Sequence, residues 1–206
     1  MTEGVQQPSL SFGPLTAATI HLCIDMQAMF WESTAWHVPW MRKVLPVALR
    51  IARAFPSRTI FTRFVPPART EDAPGTWRRY YERWPEFTGE RLPPRLVSLV
   101  APLLELIPPA EVLDKRFYSP FTDSSLHHDL RRRGIDSLVI SGGETDVCVL
   151  AAVLDAVDLG YRVVIASDAL CSASDEAHDA LLQLFNQRFQ QQIEVAPADA
   201  ILDAWA

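Results

Sequence analysis

Short apolar runs alternate along the chain with longer stretches whose apolar positions recur at helical spacing. Ala18–Asp25 (ATIHLCID) reads as a buried strand. Arg58–Phe64 (RTIFTRF), Glu111–Arg116 (EVLDKR), Ser137–Ser141, Arg162–Ser167 and Gln192–Val195 supply five more. Between them the spacing predicts helices over Trp40–Phe55, Pro94–Leu106, Ser124–Arg133, Asp146–Leu159, Ser174–Gln190 and Ala198–Ala206. Pro46 lies inside the first of these and is expected to kink or split it. Gly134 and Gly160 stand where two helices should stop. Strands and helices in alternation make a parallel sheet covered on both faces. The expected class is α/β: a three-layer, doubly wound, mostly parallel six-stranded sheet. With no repeat and no linker, residues 1–206 are expected to form a single domain with one inserted loop at about 65–92. That loop carries Pro66, Pro67, Pro74, Gly75, Pro85 and Gly89 together with Trp77, Tyr80, Tyr81 and Trp84. So long an excursion from a compact domain is more often functional than ornamental.

Composition narrows the possible jobs. Hydrophobic residues make up 49% of the chain and charged residues 21%, enough for a full core and incompatible with wholesale disorder. Nineteen basic against 25 acidic residues give a net charge of −6, so no nucleic-acid partner is expected. No apolar run reaches the roughly 18 residues of a membrane span, so no membrane partner is expected either. The opening MTEGVQQPSLSFGP has neither the basic nor the apolar region of a signal peptide. Cys23, Cys148 and Cys171 are odd in number and form no CxxC pair, which suits the reducing cytoplasm.

In such sheets ligands sit at the C-terminal strand ends, near the switch of strand order. Strand one ends in Asp25, strand three in Lys115, and strand four runs through Ser141-Gly142-Gly143-Glu144-Thr145-Asp146-Val147-Cys148 into a helix. Thr145 or Asp146 can cap that helix, which puts Cys148 in its first turn. A helix start and a nearby lysine both favour a thiolate, so the Cys148 thiol is expected to titrate below its ordinary value. An aspartate beside it could take the thiol proton. The strand order 3-2-1-4-5 sets strands one and four side by side, while strand three must reach in from further along the sheet. The residues alone leave other readings open: Lys115 paired with Asp114, Asp25 capping a loop, Cys148 a small buried residue. Cys23 and Cys171 read as core.

The segments HLCIDMQAMF, TIFTRFVPP, LDKRFYSPF and SGGETDVCVLAAVLDAVDLGYRVVIASDALCS resemble the isochorismatase-like cysteine hydrolases, which include nicotinamidases, N-carbamoylsarcosine amidohydrolases and related amidases. The resemblance spans roughly Ile20 to Ile193. It implies a catalytic triad of Asp25, Lys115 and Cys148, a cis peptide at Gly143–Glu144, and an oxyanion hole made by the backbone N–H groups of Glu144 and Cys148. It also implies a small-molecule amide or ureide substrate, cleaved at a C–N bond through a thioester, and a homodimer or homotetramer. Nicotinamidases hold a metal through an Asp-x-His-x-His segment and a later histidine. The corresponding FWESTAWHVPW offers His37 alone, so neither a metal nor another cofactor is expected. Alternatives are vinyl-ether hydrolysis of the isochorismatase type, and a non-catalytic scaffold or interaction protein of the same fold. A redox thiol is disfavoured by the lack of a neighbouring resolving cysteine. Phe30, Tyr118 and Phe121 flank the triad segments and are expected pocket walls. Arg78 and Arg79 on the 65–92 loop are expected to meet a carboxylate or ureide as part of a lid, the alternative being an arm packed against a second subunit.

Overall fold

Six strands, β1 (Thr19–Ile24), β2 (Thr59–Phe64), β3 (Glu111–Lys115), β4 (Ser137–Gly143), β5 (Arg162–Cys171) and β6 (Ile193–Ala196), form one sheet. Their order is β3-β2-β1-β4-β5-β6, with every neighbouring pair parallel. The computed structural model describes residues 10–205. The reading of the first nine residues as carrying no signal sequence, and the last helix's extension to Ala206, therefore lie outside the described residues. Helices α1 (Ala28–Trp31), α2 (Met41–Ala54), α3 (Trp77–Arg83), α4 (Pro94–Val97), α5 (Ala101–Leu104), α6 (Leu126–Arg132), α7 (Leu150–Asp158), α8 (Asp175–Arg188) and α9 (Ala198–Ala204) connect and cover the strands.

Side chains alternate across a strand, so each face of the sheet builds its own core. Cys23, Phe61, Val139 and Val164 face α2 and α9. Ile20, Leu22, Ile24, Leu138 and Ile140 face α6, α7 and α8. The central strands β1 and β4 are buried along their whole length. At the edge, β3 buries one residue, Lys115. Strand order reverses between β1 and β4, and the crevice that opens at their C-terminal ends is where the chemistry-bearing residues gather.

Three expectations change. Pro46 does not split its helix. It withholds an N–H from the carbonyl of Arg42, yet α2 runs unbroken because Met41, Val44, Leu45, Ala48, Leu49, Ile51 and Ala52 pin one face to the sheet. The helix expected over Pro94–Leu106 is instead two single turns, α4 and α5. Between them, backbone groups leave the helical pattern to serve the loop after β1: Ser98 accepts from the Ala28 N–H at 2.8 Å, and Val100 donates to the Met26 carbonyl at 3.0 Å. Strand β5 continues past Ser167 to Cys171 through an irregularity opposite Ile140–Gly142, which carries its end up beside Gly143. The glycine stops hold, with Gly134 at φ +69 and Gly160 at φ +83 in the left-handed conformation that ends a helix cheaply. Helix α8 begins with a side-chain cap, the Ser174 oxygen accepting from the Ala177 N–H, and with Asp175 and Glu176 in its first turn.

Candidate active site

The chain leaves β1 through Asp25, a non-glycine residue at φ +46 in the left-handed region. Its surroundings hold it there. The Asp25 N–H donates to Thr62 Oγ1 at 3.1 Å, and the Thr62 hydroxyl donates back to Asp25 Oδ1 at 2.5 Å. Oδ2 faces the Lys115 ammonium at 2.6 Å, and both side chains are buried, at 0% exposure for Lys115 and 1% for Asp25. Lys115 reaches this partner from the sheet edge by passing the Phe64 ring of the intervening β2, with Nζ 5.2 Å from the ring centre. It also donates to the Phe117 carbonyl at 3.1 Å. Asp114 points the other way and takes Arg63 through two hydrogen bonds, at 2.7 and 2.8 Å. The pairing left open by the sequence is thus settled as Lys115 with Asp25. A charge pair this deep is costly to break, because removing one member leaves the other buried and uncompensated.

The third side chain arrives on a turn built by glycine. At Gly142, φ is +106, and a Cβ there would lie 2.1 Å from the Ile24 carbonyl oxygen, so no side chain fits where β4 passes the end of β1. The Gly143–Glu144 peptide bond is cis. A single π-helical turn, Thr145–Val149, follows and runs into α7, with Cys148 near its end. Neither Thr145 nor Asp146 caps this turn, contrary to expectation. The buried Thr145 hydroxyl donates to the Cys171 carbonyl at 3.1 Å and lies 2.8 Å from His178 Nδ1. Asp146 accepts from the Ser172 hydroxyl at 2.5 Å. Both side chains tie the turn to the end of β5 and to α8, which fixes the thiol against the sheet.

The Cys148 thiol lies where the charges of both Asp25 and Lys115 act on it. Its acidity runs opposite to the expectation. Burial pushes the thiol up, the Lys115 ammonium draws it down, and the Asp25 carboxylate pushes it up again, leaving it well above the ordinary thiol value. Desolvation is the largest of these effects. Burial alone would lower the Lys115 ammonium, but the Asp25 carboxylate and the Cys148 side chain more than offset this and hold it above its usual value. Cys23 and Cys171 are buried, as read from the sequence, and burial raises both thiols, Cys23 to about 12.

Cys148 opens onto a cavity of about 140 Å3, walled by Phe30, Trp36, His37, Tyr80, Tyr118 and Glu144 among others. Of the expected wall residues, Phe30 and Tyr118 are in place. Phe121 is not; it stacks on Tyr161 at 5.9 Å in the helical layer. Arg78 and Arg79 also lie away from the cavity, both exposed, with Arg78 donating to the Glu71 carbonyl at 3.1 Å. Helical phase explains this. On α3 the residues Trp77, Tyr80 and Tyr81 share the inward face, and positions 78 and 79 point outward. The 77-80-81-84 spacing of aromatics carries this information in the sequence. Trp36 went unnoticed there, yet its ring stacks on Phe87 at 3.6 Å and it lies within 6.4 Å of Phe30, Phe64, Tyr80 and Trp84. Two other residues were missed, and each is a polar residue in an apolar setting. One is Thr62. The other is Gln27, which accepts from the Phe64 N–H at 2.7 Å and donates to the carbonyls of Phe64 and Val97 at 3.0 and 2.7 Å. Among the described residues no group of three or more His, Cys, Asp or Glu side chains is placed to hold a metal ion. His37 has no second histidine beside it on its loop, so the donor set does not fit a metal.

Residues 19–197 match the model of the isochorismatase domain, and the chain belongs to that family. A protein of Arabidopsis thaliana named as a probable inactive nicotinamidase is 31% identical over 169 residues, covering 79% of this chain and 85% of that one. An uncharacterized isochorismatase family protein of Bacillus subtilis is 38% identical over 74 residues, and this match spans only 36% of the chain and 39% of that relative. A cysteine hydrolase of Pseudomonas syringae pv. phaseolicola superposes with a TM-score of 0.81 at 21% identity, over 97% of both chains. At that identity the likeness speaks for the fold, a six-stranded parallel sheet between helical layers.

Proposed function

We propose that this protein is a cysteine amidohydrolase that cleaves the C–N bond of a small amide or ureide through a thioester on Cys148. The observation carrying the reading is the buried cluster in which one thiol, one carboxylate and one ammonium meet at the switch point of the sheet, open to a small cavity. Because burial holds the resting thiol protonated, proton transfer to Asp25 accompanies attack instead of preceding it. The sulfur forms a bond to the carbonyl carbon, and the carbonyl π electrons move onto oxygen. The backbone N–H groups of Glu144 and Cys148 receive that oxyanion, each such donor contributing roughly 10²–10³ in rate. Lys115, paired with Asp25, offsets the charge that develops beside it. As the C–N bond breaks, the proton on Asp25 passes to the leaving nitrogen. Asp25 then takes a proton from water as the water oxygen bonds to the thioester carbon; the C–S bond breaks, the proton on Asp25 returns to sulfur, and the acid product leaves.

The test is ammonia release from a panel of small primary amides and ureides. Activity on at least one, reduced by about 10² or more in both Cys148→Ala and Asp25→Asn, is the expected result. Undiminished turnover by Cys148→Ala would overturn the nucleophile. No turnover across the panel would favour a non-catalytic role.

A further inference from the structure

The charge of the cavity wall bears on the substrate, and here the argument rests on the amidohydrolase reading above. Among the described residues no lysine or arginine lines the cavity, and Glu144 is the one carboxyl group on its wall. Burial and the Asp146 and Asp25 carboxylates hold it above the usual carboxylate range against the opposing Ala173 N–H, a shift that a bound cation would reverse. One Glu144 oxygen accepts from the Ala173 N–H at 3.2 Å; the other takes no hydrogen bond among the described residues. Lys115 is paired with Asp25, Arg63 with Asp114 and Arg116 with Asp123. The remaining wall residues with polar side-chain groups are Trp36, His37, Tyr80 and Tyr118. Phe30, Trp36, Phe64, Tyr80 and Tyr118 supply aromatic surface, whose ring faces attract cations. A substrate carboxylate would meet a carboxylate and no free cation. A substrate ammonium would meet aromatic rings and one unpaired carboxylate oxygen.

We propose that the site is selective for amides bearing a positively charged nitrogen close to the scissile carbonyl, with Glu144 and the aromatic wall as the specificity determinants. The volume of about 140 Å3 suits a compact group, near the size of an engineered apolar cavity that admits benzene. This reverses the preference for an anionic amide that Arg78 and Arg79 would have given.

Trimethylglycinamide and 3,3-dimethylbutanamide have the same shape and differ in carrying N⁺ or carbon at one position; N⁺ also activates the carbonyl in any enzyme, and the Glu144→Gln ratio below separates that intrinsic effect from recognition by the site. The expected result is a kcat/KM about tenfold or more higher for the cation, with succinamate, the anionic member of the series, lowest. In Glu144→Gln the ratio of cation to isostere should fall to about threefold or less, a readout that a uniform loss of activity would not move. Equal or better turnover of the neutral isostere overturns the proposal while leaving the amidohydrolase reading intact. If neither compound is hydrolysed, calorimetric binding of the same two compounds to the wild-type protein decides. Roughly tenfold tighter binding of the cation supports the selectivity with the hydrolytic reading set aside, and equal binding overturns it.

Discussion

His21 sits in the middle of β1, fully buried, with Nε2 2.7 Å from Ser141 Oγ and Nδ1 3.3 Å from Thr59 Oγ1. This polar row crosses β2, β1 and β4 beneath the active site. Burial lowers its pKa from 6.5 to about 3, since the cation would lose its water without gaining a counter-charge. The folded-state value thus lies below the unfolded one. As the pH falls, the unfolded chain binds this proton first, so stability from neutral His21 is full above 6.5 and is lost progressively down to about 3. At about pH 4.5 the loss comes to about 3 kcal/mol, two pH units at about 1.4 kcal/mol each. Against a typical total of about 5–15 kcal/mol this is a large fraction. The assay is urea unfolding of wild type and His21→Gln at about pH 7 and about pH 4.5. Glutamine retains a donor and an acceptor but does not titrate, and the carboxylates that protonate over this range are common to both proteins. The wild type should therefore lose about 3 kcal/mol more than the variant. Equal losses would refute the reasoning and show that His21 accepts its proton inside the fold.

Gly142→Ala should be among the most damaging substitutions, costing more than about 3 kcal/mol or preventing folding, because its Cβ would overlap the Ile24 carbonyl at a φ of +106; thermal melting followed by circular dichroism checks this, and a Tm within a few degrees of wild type would contradict it. Thr62→Val removes both hydrogen bonds to Asp25, so on the proposed mechanism kcat should fall by about tenfold with about 1–2 kcal/mol lost in stability; an unchanged kcat would take Thr62 out of the site. Alkylation of Cys148 by iodoacetamide, followed by peptide mass analysis, should be slow at neutral pH and rise about tenfold per pH unit up to about pH 9 without a plateau, since burial lifts the thiol above its ordinary value; a plateau below about pH 8 would restore the low-pKa thiol.

Much of this protein was written in its local pattern. Six apolar runs became six strands, Gly134 and Gly160 ended their helices, and Asp25, Lys115 and Cys148 could each be placed at a strand end, because side-chain periodicity and left-handed glycine are properties of a few neighbouring residues. Helical phase on α3, which turns Arg78 and Arg79 outward, was equally local and was available in the spacing of Trp77, Tyr80, Tyr81 and Trp84. Other features required the assembled sheet. Asp114 adjoins Lys115 in sequence, yet alternation sends the two side chains to opposite faces, and the lysine's partner lies ninety residues earlier across an intervening strand. The helix expected over Pro94–Leu106 broke because the Ser98–Val100 backbone had a better partner in the loop after β1. Thr145 became a tie to β5 in place of a cap because β5 runs further than its apolar pattern shows. The acidity of Cys148 turned on burial, and burial is a sum over everything that surrounds the thiol. Local sequence can state which charges are available, but the free energy of an ionised group depends on the water removed from around it, and only the tertiary structure decides that.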